Sequence, residues 1–258
     1  MSPLHVYRFG PADGPKVLAL HGVTGHGKRW EAMADEYLPD LRIIAPDLRG
    51  HGYSTSLPPW NFETIVDDLV ELLIAETDEP VLVVAHSFGG ACALHLAQRH
   101  PELVRGLVLL DSAIALDPEL LMDIAVSSLA SPDYISVDQA RQDKLATGWD
   151  DVEPRLLEAE LAEHLMPTAD GRVGWRISLP AINSYWGQLA RHYVLPPADL
   201  PTVLVQAMKV NPPYVTPDFR AALTERLGTH LTVLEWDCDH MVAQARPAET
   251  AALVRSML

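Results

Sequence analysis

Residues 81–100 read VLVVAHSFGGACALHLAQRH, and the change of character along this stretch decides the fold. Its opening, VLVVA, is a continuous apolar and β-branched run of the kind that makes a strand buried on both faces. The residues that follow are small, and from about 89 a helical pattern runs on until Pro101 stops it. A strand, a tight turn and a helix therefore meet at Ser87. Such a turn holds a hydroxyl out at the strand's C-terminal edge and aims the unpaired N–H groups of the helix at the same spot. The two backbones approach closely there, which requires small residues at 85 and 89, and Ala85 and Gly89 supply them. Ser87 is placed to attack.

On either side the same alternation continues. HVYRF (5–9), VLAL (17–20), RIIA (42–45) and LVLL (107–110) read as short strands. Between them 28–37 and 62–76 carry apolar residues at helical spacing, with Asn61 as the N-cap of the second. This rhythm predicts an α/β fold with a mostly parallel sheet and crossover helices. After Ser112 it breaks, and about 85 residues follow with helix-like stretches and no convincing strand. Strands return at TVLVQA (202–207) and LTVLEW (231–236), separated by a helix with Thr216 before Pro217 at its first position; a last helix starts near Pro247. The expected organisation is a core of residues 1–111 and 197–258 with an inserted helical lid at 112–196.

Composition narrows the partners. With 35 acidic against 19 basic residues the formal net charge is -16, so nucleic acid and anionic membranes are disfavoured by long-range repulsion. No apolar stretch approaches the ~20 residues that span a bilayer, which excludes stable membrane insertion. The stretch MSPLHVYRFGPADGP lacks the basic start and apolar core of a secretory leader. Cys92 and Cys238 are too few for a disulfide framework. These features predict a cytoplasmic protein. They leave the oligomeric state open.

Three more stretches join AHSFGG at 85–90: HGVTG (21–25) after a strand, PDLRGHGYS (46–54) after the next, and DCDHMV (237–242) after the last. Together they resemble the α/β-hydrolase superfamily, with AHSFGG as its nucleophile elbow, HGVTG as its oxyanion loop and DCDHMV as its catalytic-histidine loop. The departure is Ala85, where the commonest pattern has Gly. The resemblance implies an α/β-hydrolase sheet flanked by helices, with the lid lying over the strand C-termini. It implies no metal and no organic cofactor.

A serine hydroxyl needs a positioned base, usually histidine. Of eleven histidines, His240 follows the final strand and fits the chain order nucleophile, acid, histidine. His21 is expected to shape the oxyanion loop, and His86 to point away from the site on the alternate face. His51 belongs to the turn after the third strand, while His95, His100, His164, His192 and His230 are assigned surface or packing roles. The N–H groups of Phe88 and Val23 are the candidate oxyanion donors, and their side chains are expected to shape the pocket. Thr24, His26, Trp149 and Trp186 are further pocket candidates. Asp47, Arg49 and Gly50 are read as structural, with a buried Asp47–Arg49 contact.

The acid is less direct. Most relatives place it after the penultimate strand, where this chain has TVLVQAMKVNPPYVTPDF, with no acid before Asp218 and with Asn211 nearest the expected place. Some branches of the superfamily carry it instead at the end of the strand after the nucleophile helix. Asp111, closing LVLL, sits there. Asp111 is the candidate acid and Asn211 the alternative; Asp237 and Asp239 lie too near His240 in sequence to face its ring.

The expected activity is hydrolysis of a carboxylic ester with an apolar acyl part through an acyl-enzyme on Ser87, His240 and Asp111. Carbon–carbon bond hydrolysis, perhydrolysis, amide or thioester cleavage and acyl transfer share the machinery. An Asp at the elbow would mark haloalkane dehalogenases or epoxide hydrolases, and Ser87 disfavours both. A ligand-binding receptor on the same fold is the alternative of another class, since fold does not fix function.

Overall fold

The computed structural model describes residues 4–258; residues 1–3, which open the expected core and the N-terminal stretch, lie outside the described residues. Seven strands form one sheet: β1 (Val6–Phe9), β2 (Lys16–Leu20), β3 (Arg42–Pro46), β4 (Val81–His86), β5 (Val104–Leu110), β8 (Thr202–Ala207) and β9 (Leu231–Trp236). Their spatial order is β1-β3-β2-β4-β5-β8-β9. Only β1 runs antiparallel, against β3; every other pair is parallel.

β4 sits in the middle, between β2 and β5, and all six of its residues are buried. Its unbroken apolar run follows from that position, because helices cover both faces of a parallel sheet. Each fully buried Val or Leu there stabilises the fold by roughly 1.5–3 kcal/mol relative to exposure. On one face lie α2 (Phe62–Glu76) and α3 (Phe88–Arg99), whose Ile65, Leu69, Leu94 and Leu96 join the core with Leu18, Val83 and Leu109. On the other lie α1 (Glu31–Tyr37) and α10 (Pro247–Ser256), where Met33 and Val254 pack with Val17, Val84 and Leu110. Asn61 caps α2 as expected, its side chain accepting from Thr64 N. α8 (Pro217–Leu227) starts on Pro217, but the Thr216 side chain makes no capping hydrogen bond.

Between β5 and β8 the chain forms α4 (Pro118–Ala130), α5 (Val137–Lys144), α6 (Pro154–His164) and α7 (Leu179–Leu189). One expectation for this segment is corrected: it contains two strands, β6 (Leu165–Pro167) and β7 (Val173–Trp175), paired antiparallel as a small ribbon. Each is only three residues long, too short to leave a period in the sequence. The Asp47–Arg49 contact is also corrected. The Asp47 carboxylate accepts from Gly27 N and Tyr53 N, and Arg49 instead pairs bidentately with Asp68 on α2. No helix among the described residues is long and apolar enough to cross a membrane.

Candidate active site

Ser87 sits between β4 and α3 with φ 54 and ψ −121. A residue with a Cβ rarely adopts positive φ, and such strain concentrates where a side chain must be presented. The close packing below it explains the glycines. A Cβ on Gly89 would lie 2.7 Å from the carbonyl oxygens of Leu20 and His21, and one on Gly22 would lie 3.0 Å from the Ser87 Cβ.

His240 lies in the loop between β9 and α9 (Val242–Ala245). Its Nε2 is 2.9 Å from Ser87 Oγ and its Nδ1 is 2.7 Å from Asp111 Oδ2. Asp111 ends β5 in a left-handed conformation, φ 41, and its carboxylate is fully buried. The other oxygen, Oδ1, accepts from Ala207 N at 3.1 Å, tying the acid to the end of β8. The carboxylate thus turns toward β8 and His240, leaving the turn after β5 uncapped by it. Asn211 is exposed and makes no hydrogen bond to His240 among the described residues.

Two rings flank His240. Tyr214 meets it edge-on at 4.4 Å between centroids, and His86 lies 4.5 Å away. His86 does not point away from the site: its Nε2–H donates to the His240 carbonyl at 2.7 Å, and its ring lines the cavity beside Ser87. Alternation of faces fails as a guide here because His86 is the last residue of β4, where the chain already bends into the elbow. Burial, and then the neighbouring His240, hold the His86 pKa well below the usual imidazole value.

The loop at 21–25 is fixed from two sides. Leu48 N–H donates to His21 Nε2 at 2.9 Å, so His21 Nδ1 carries the proton and donates to Gly22 O at 2.8 Å. Gly25 N donates to the same carbonyl. His21 shapes this loop, as expected, and Thr24 within it takes φ 61. Phe88 N–H is the first of α3 and has no intrahelical acceptor. Among the described residues no turn or loop hydrogen bond engages it or Val23 N–H. The side chains diverge: Val23 lines the cavity, whereas the Phe88 ring is fully buried between Phe62 and Tyr185 and forms core, not pocket.

A cavity of about 320 Å³ opens above Ser87 and His240. Of the pocket candidates, Thr24, Trp149 and Trp186 line it. His26 does not; its Nε2–H donates to Glu160 at 2.9 Å, and it borders a separate cavity of about 260 Å³. Leu116, Ile124, Ile182 and Met241 make much of the wall apolar. Two cations, Arg29 and Lys144, also reach it. Among the described residues no group of three or more His, Cys, Asp or Glu side chains is arranged to hold a metal ion.

A family model described as alpha/beta hydrolase fold matches residues 15–146. Over 255 residues the chain is 49% identical to a protein named Lipase LipV from Mycobacterium tuberculosis, covering 99% of this chain and 97% of that one. The chain belongs to the α/β-hydrolase fold family. Two solved structures extend the likeness in shape. A marine microorganism esterase superposes over 100% of both chains with a TM-score of 0.79 at 19% identity. An E-2-(acetamidomethylene)succinate hydrolase superposes with a TM-score of 0.81 at 21% identity, over 98% of this chain and 94% of that one. At such identities they speak for the α/β-hydrolase architecture alone. Of the residues that sequence reasoning missed, Lys144, Arg29 and Tyr214 reach the site by long-range folding from segments outside the quoted motifs, and only their positions in space mark them; Met241 lies inside the DCDHMV motif, next to His240.

Proposed function

We propose that the protein is a serine hydrolase of the esterase or lipase type, cleaving a small carboxylic ester through an acyl-enzyme. The observation that carries this reading is His240, which bridges Ser87 Oγ at 2.9 Å and Asp111 Oδ2 at 2.7 Å. Both spacings lie within hydrogen-bond range for a base and its orienting acid. The relative named Lipase LipV supports the same chemistry.

In the first half-reaction Ser87 Oγ bonds to the acyl carbon while its proton passes to His240 Nε2. The N–H groups of Val23 and Phe88 receive the developing oxyanion. The carbon–oxygen bond to the alcohol then breaks, and His240 gives that oxygen the proton. In the second half-reaction water attacks the acyl carbon, His240 takes its proton, and the acid leaves as Ser87 regains its hydrogen. Asp111 acts through His240, holding Nδ1–H and offsetting the imidazolium charge.

The residues 112–196 act as a cap on the core formed by 1–111 and 197–258, supplying the cavity wall through Leu116, Ile124, Ile182 and Trp186. A volume of about 320 Å³ is at the small end for ligand pockets, which run from about 300 to 1,000 Å³. Esters with a short or medium apolar acyl part fit it better than long-chain lipids. A cytoplasmic setting fits the two unpaired, buried thiols of Cys92 and Cys238. The receptor reading, which Asn211 in the usual place of the acid would favour, draws nothing from the geometry, where Asp111 faces His240 and Asn211 is exposed.

The test is direct. A fluorophosphonate is expected to label Ser87 in the wild type and not in Ser87→Ala, and the variant is expected to lose turnover of short p-nitrophenyl esters. Folded wild-type protein that resists labelling would sink the reading.

A further inference from the structure

One end of the cavity holds more positive charge than the protein around it neutralises. Glu160 on α6 has a side chain only 1% exposed. Arg29 engages both of its oxygens, with Nε 2.9 Å from Oε2 and Nη2 against Oε1. Such a two-point contact is a full partner for one carboxylate. Lys144, the last residue of α5, then brings a second cation, its Nζ 3.2 Å from Glu160 Oε1.

The Lys144 side chain is 8% exposed, yet of its three N–H donors only one finds a hydrogen-bond acceptor among the described residues. The rings of Trp175 and Trp149 lie 4.3 and 5.1 Å from Nζ. They lower the cost of burying the charge, but they do not neutralise it. Asp143 also borders the cavity, but it is exposed and its carboxylate already accepts from Tyr134 Oη at 2.6 Å. Burial draws the Lys144 pKa down to about 8 despite Glu160 beside it, whereas a cation with a sufficient partner is not depressed. Two buried cations on one buried carboxylate leave the cluster short of an anion, an expensive arrangement unless something supplies one.

We propose that the substrate supplies it: the Lys144 end of the cavity receives a carboxylate, so the preferred esters carry a free carboxylate away from the bond that is cleaved. This rests on the ester-hydrolase reading of Ser87 and His240 and names the substrate class for it. Ile124, Ile182 and Met241 make other parts of the same cavity wall apolar. The fitting acyl part therefore has an apolar body and an anionic end, as in half-esters of dicarboxylic acids.

Two measurements decide it. In the first, mono-p-nitrophenyl esters of succinic, glutaric and adipic acids are compared with neutral p-nitrophenyl esters of matched length. For the wild type at least one half-ester is expected to lead its neutral match in kcat/KM by about tenfold or more, the worth of a hydrogen bond to a charged group. In Lys144→Met the ratio of charged to neutral kcat/KM is expected to fall to about one or below. The ratio cancels losses of folded protein, so a merely structural role for Lys144 would not move it. No preference in the wild type at any length, or an unchanged ratio in the variant, overturns the proposal.

The second measurement needs no turnover and no folded lysine variant. By calorimetry, Ser87→Ala is expected to bind monomethyl glutarate more tightly than dimethyl glutarate; equal affinities overturn the proposal. Neutral esters cleaved without a carboxylate preference would overturn this inference and leave the hydrolase reading standing. Unlabelled Ser87 with selective half-ester binding would do the reverse.

Discussion

At the scale of single residues, the site is built on backbone that resists being built. Ser87 and Asp111 both take positive φ, 54 and 41, at a cost of order 1–3 kcal/mol each, and each is fixed by its surroundings. Ser87 N donates to Leu110 O, and Asp111 N donates to Val205 O. These bonds carry Ser87 and Asp111, the proposed nucleophile and acid, on three adjacent strands, with His240 closing the gap. The acid acts only through the histidine, so its loss should appear in the chemical step. Asp111→Asn is expected to lower kcat by about 10³–10⁴-fold with KM little changed, and Asn211→Ala to alter neither. Steady-state kinetics on one p-nitrophenyl ester check both, and the opposite pattern would move the acid to Asn211. Ser87 and His240 were legible because motif chemistry is local: a strand, a turn and small residues announce an elbow. Asp111 was legible by a different route, as a charge that an otherwise apolar strand has no use for. The His86 ring was not legible, since its direction depends on a bend that the strand pattern does not record.

At the scale of elements, the ion cluster around Glu160 joins parts of the chain far apart in sequence. Arg29 comes from the turn before α1, Lys144 from α5 and Glu160 from α6, with His26 bonded to the same carboxylate. Lys28 with Glu163 and Arg155 with Glu36 repeat the connection nearer the surface, where such pairs are worth little. The buried carboxylate is a different matter. Glu160→Gln would leave Arg29 and Lys144 buried without their anion, a change that typically costs about 3–5 kcal/mol. For a chain of this size that is a fall in Tm on the order of 10 °C. Scanning calorimetry checks it, and an unchanged Tm would mean that the cluster is solvated in solution. None of this cluster was legible in the sequence. A lysine, an arginine and a glutamate spread over some 130 positions carry no spacing signal, and each alone reads as a surface residue. The Asp47–Arg49 pairing went astray for the related reason that proximity in sequence is a weak guide when Asp68, a helix away, offers a better fork.

At the scale of the whole molecule, the chain buries imidazoles freely. His21, His51, His86, His95 and His164 all have pKa values below the ordinary 6.5, burial being the leading cause in each, and those of His51 and His95 fall to about 4. Below pH ~6.5 the unfolded chain takes up protons at these positions that the folded chain refuses. The stability they contribute is therefore complete above that pH and lost as pH falls toward 4. His51 alone, 1% exposed, accounts for on the order of 3 kcal/mol of this loss. The other four act in the same direction, so the fold is expected to lose stability steadily as pH falls from about 6.5 toward 4. Urea midpoints followed by circular dichroism from neutral to about pH 4.5 would show it, and a flat profile would contradict it. The parallel sheet and its crossover helices were readable as a whole because short apolar, β-branched runs alternating with stretches of period 3.6 leave few topologies. Their order carries one more consequence. The chain leaves the sheet at β5 and re-enters at β8, its immediate neighbour, and Asp111 precedes that excursion while His240 comes long after it. None of Ser87, Asp111 and His240 lies within the excursion, so on the proposed mechanism the segment that supplies much of the cavity wall is separate in sequence from the groups that handle the proton.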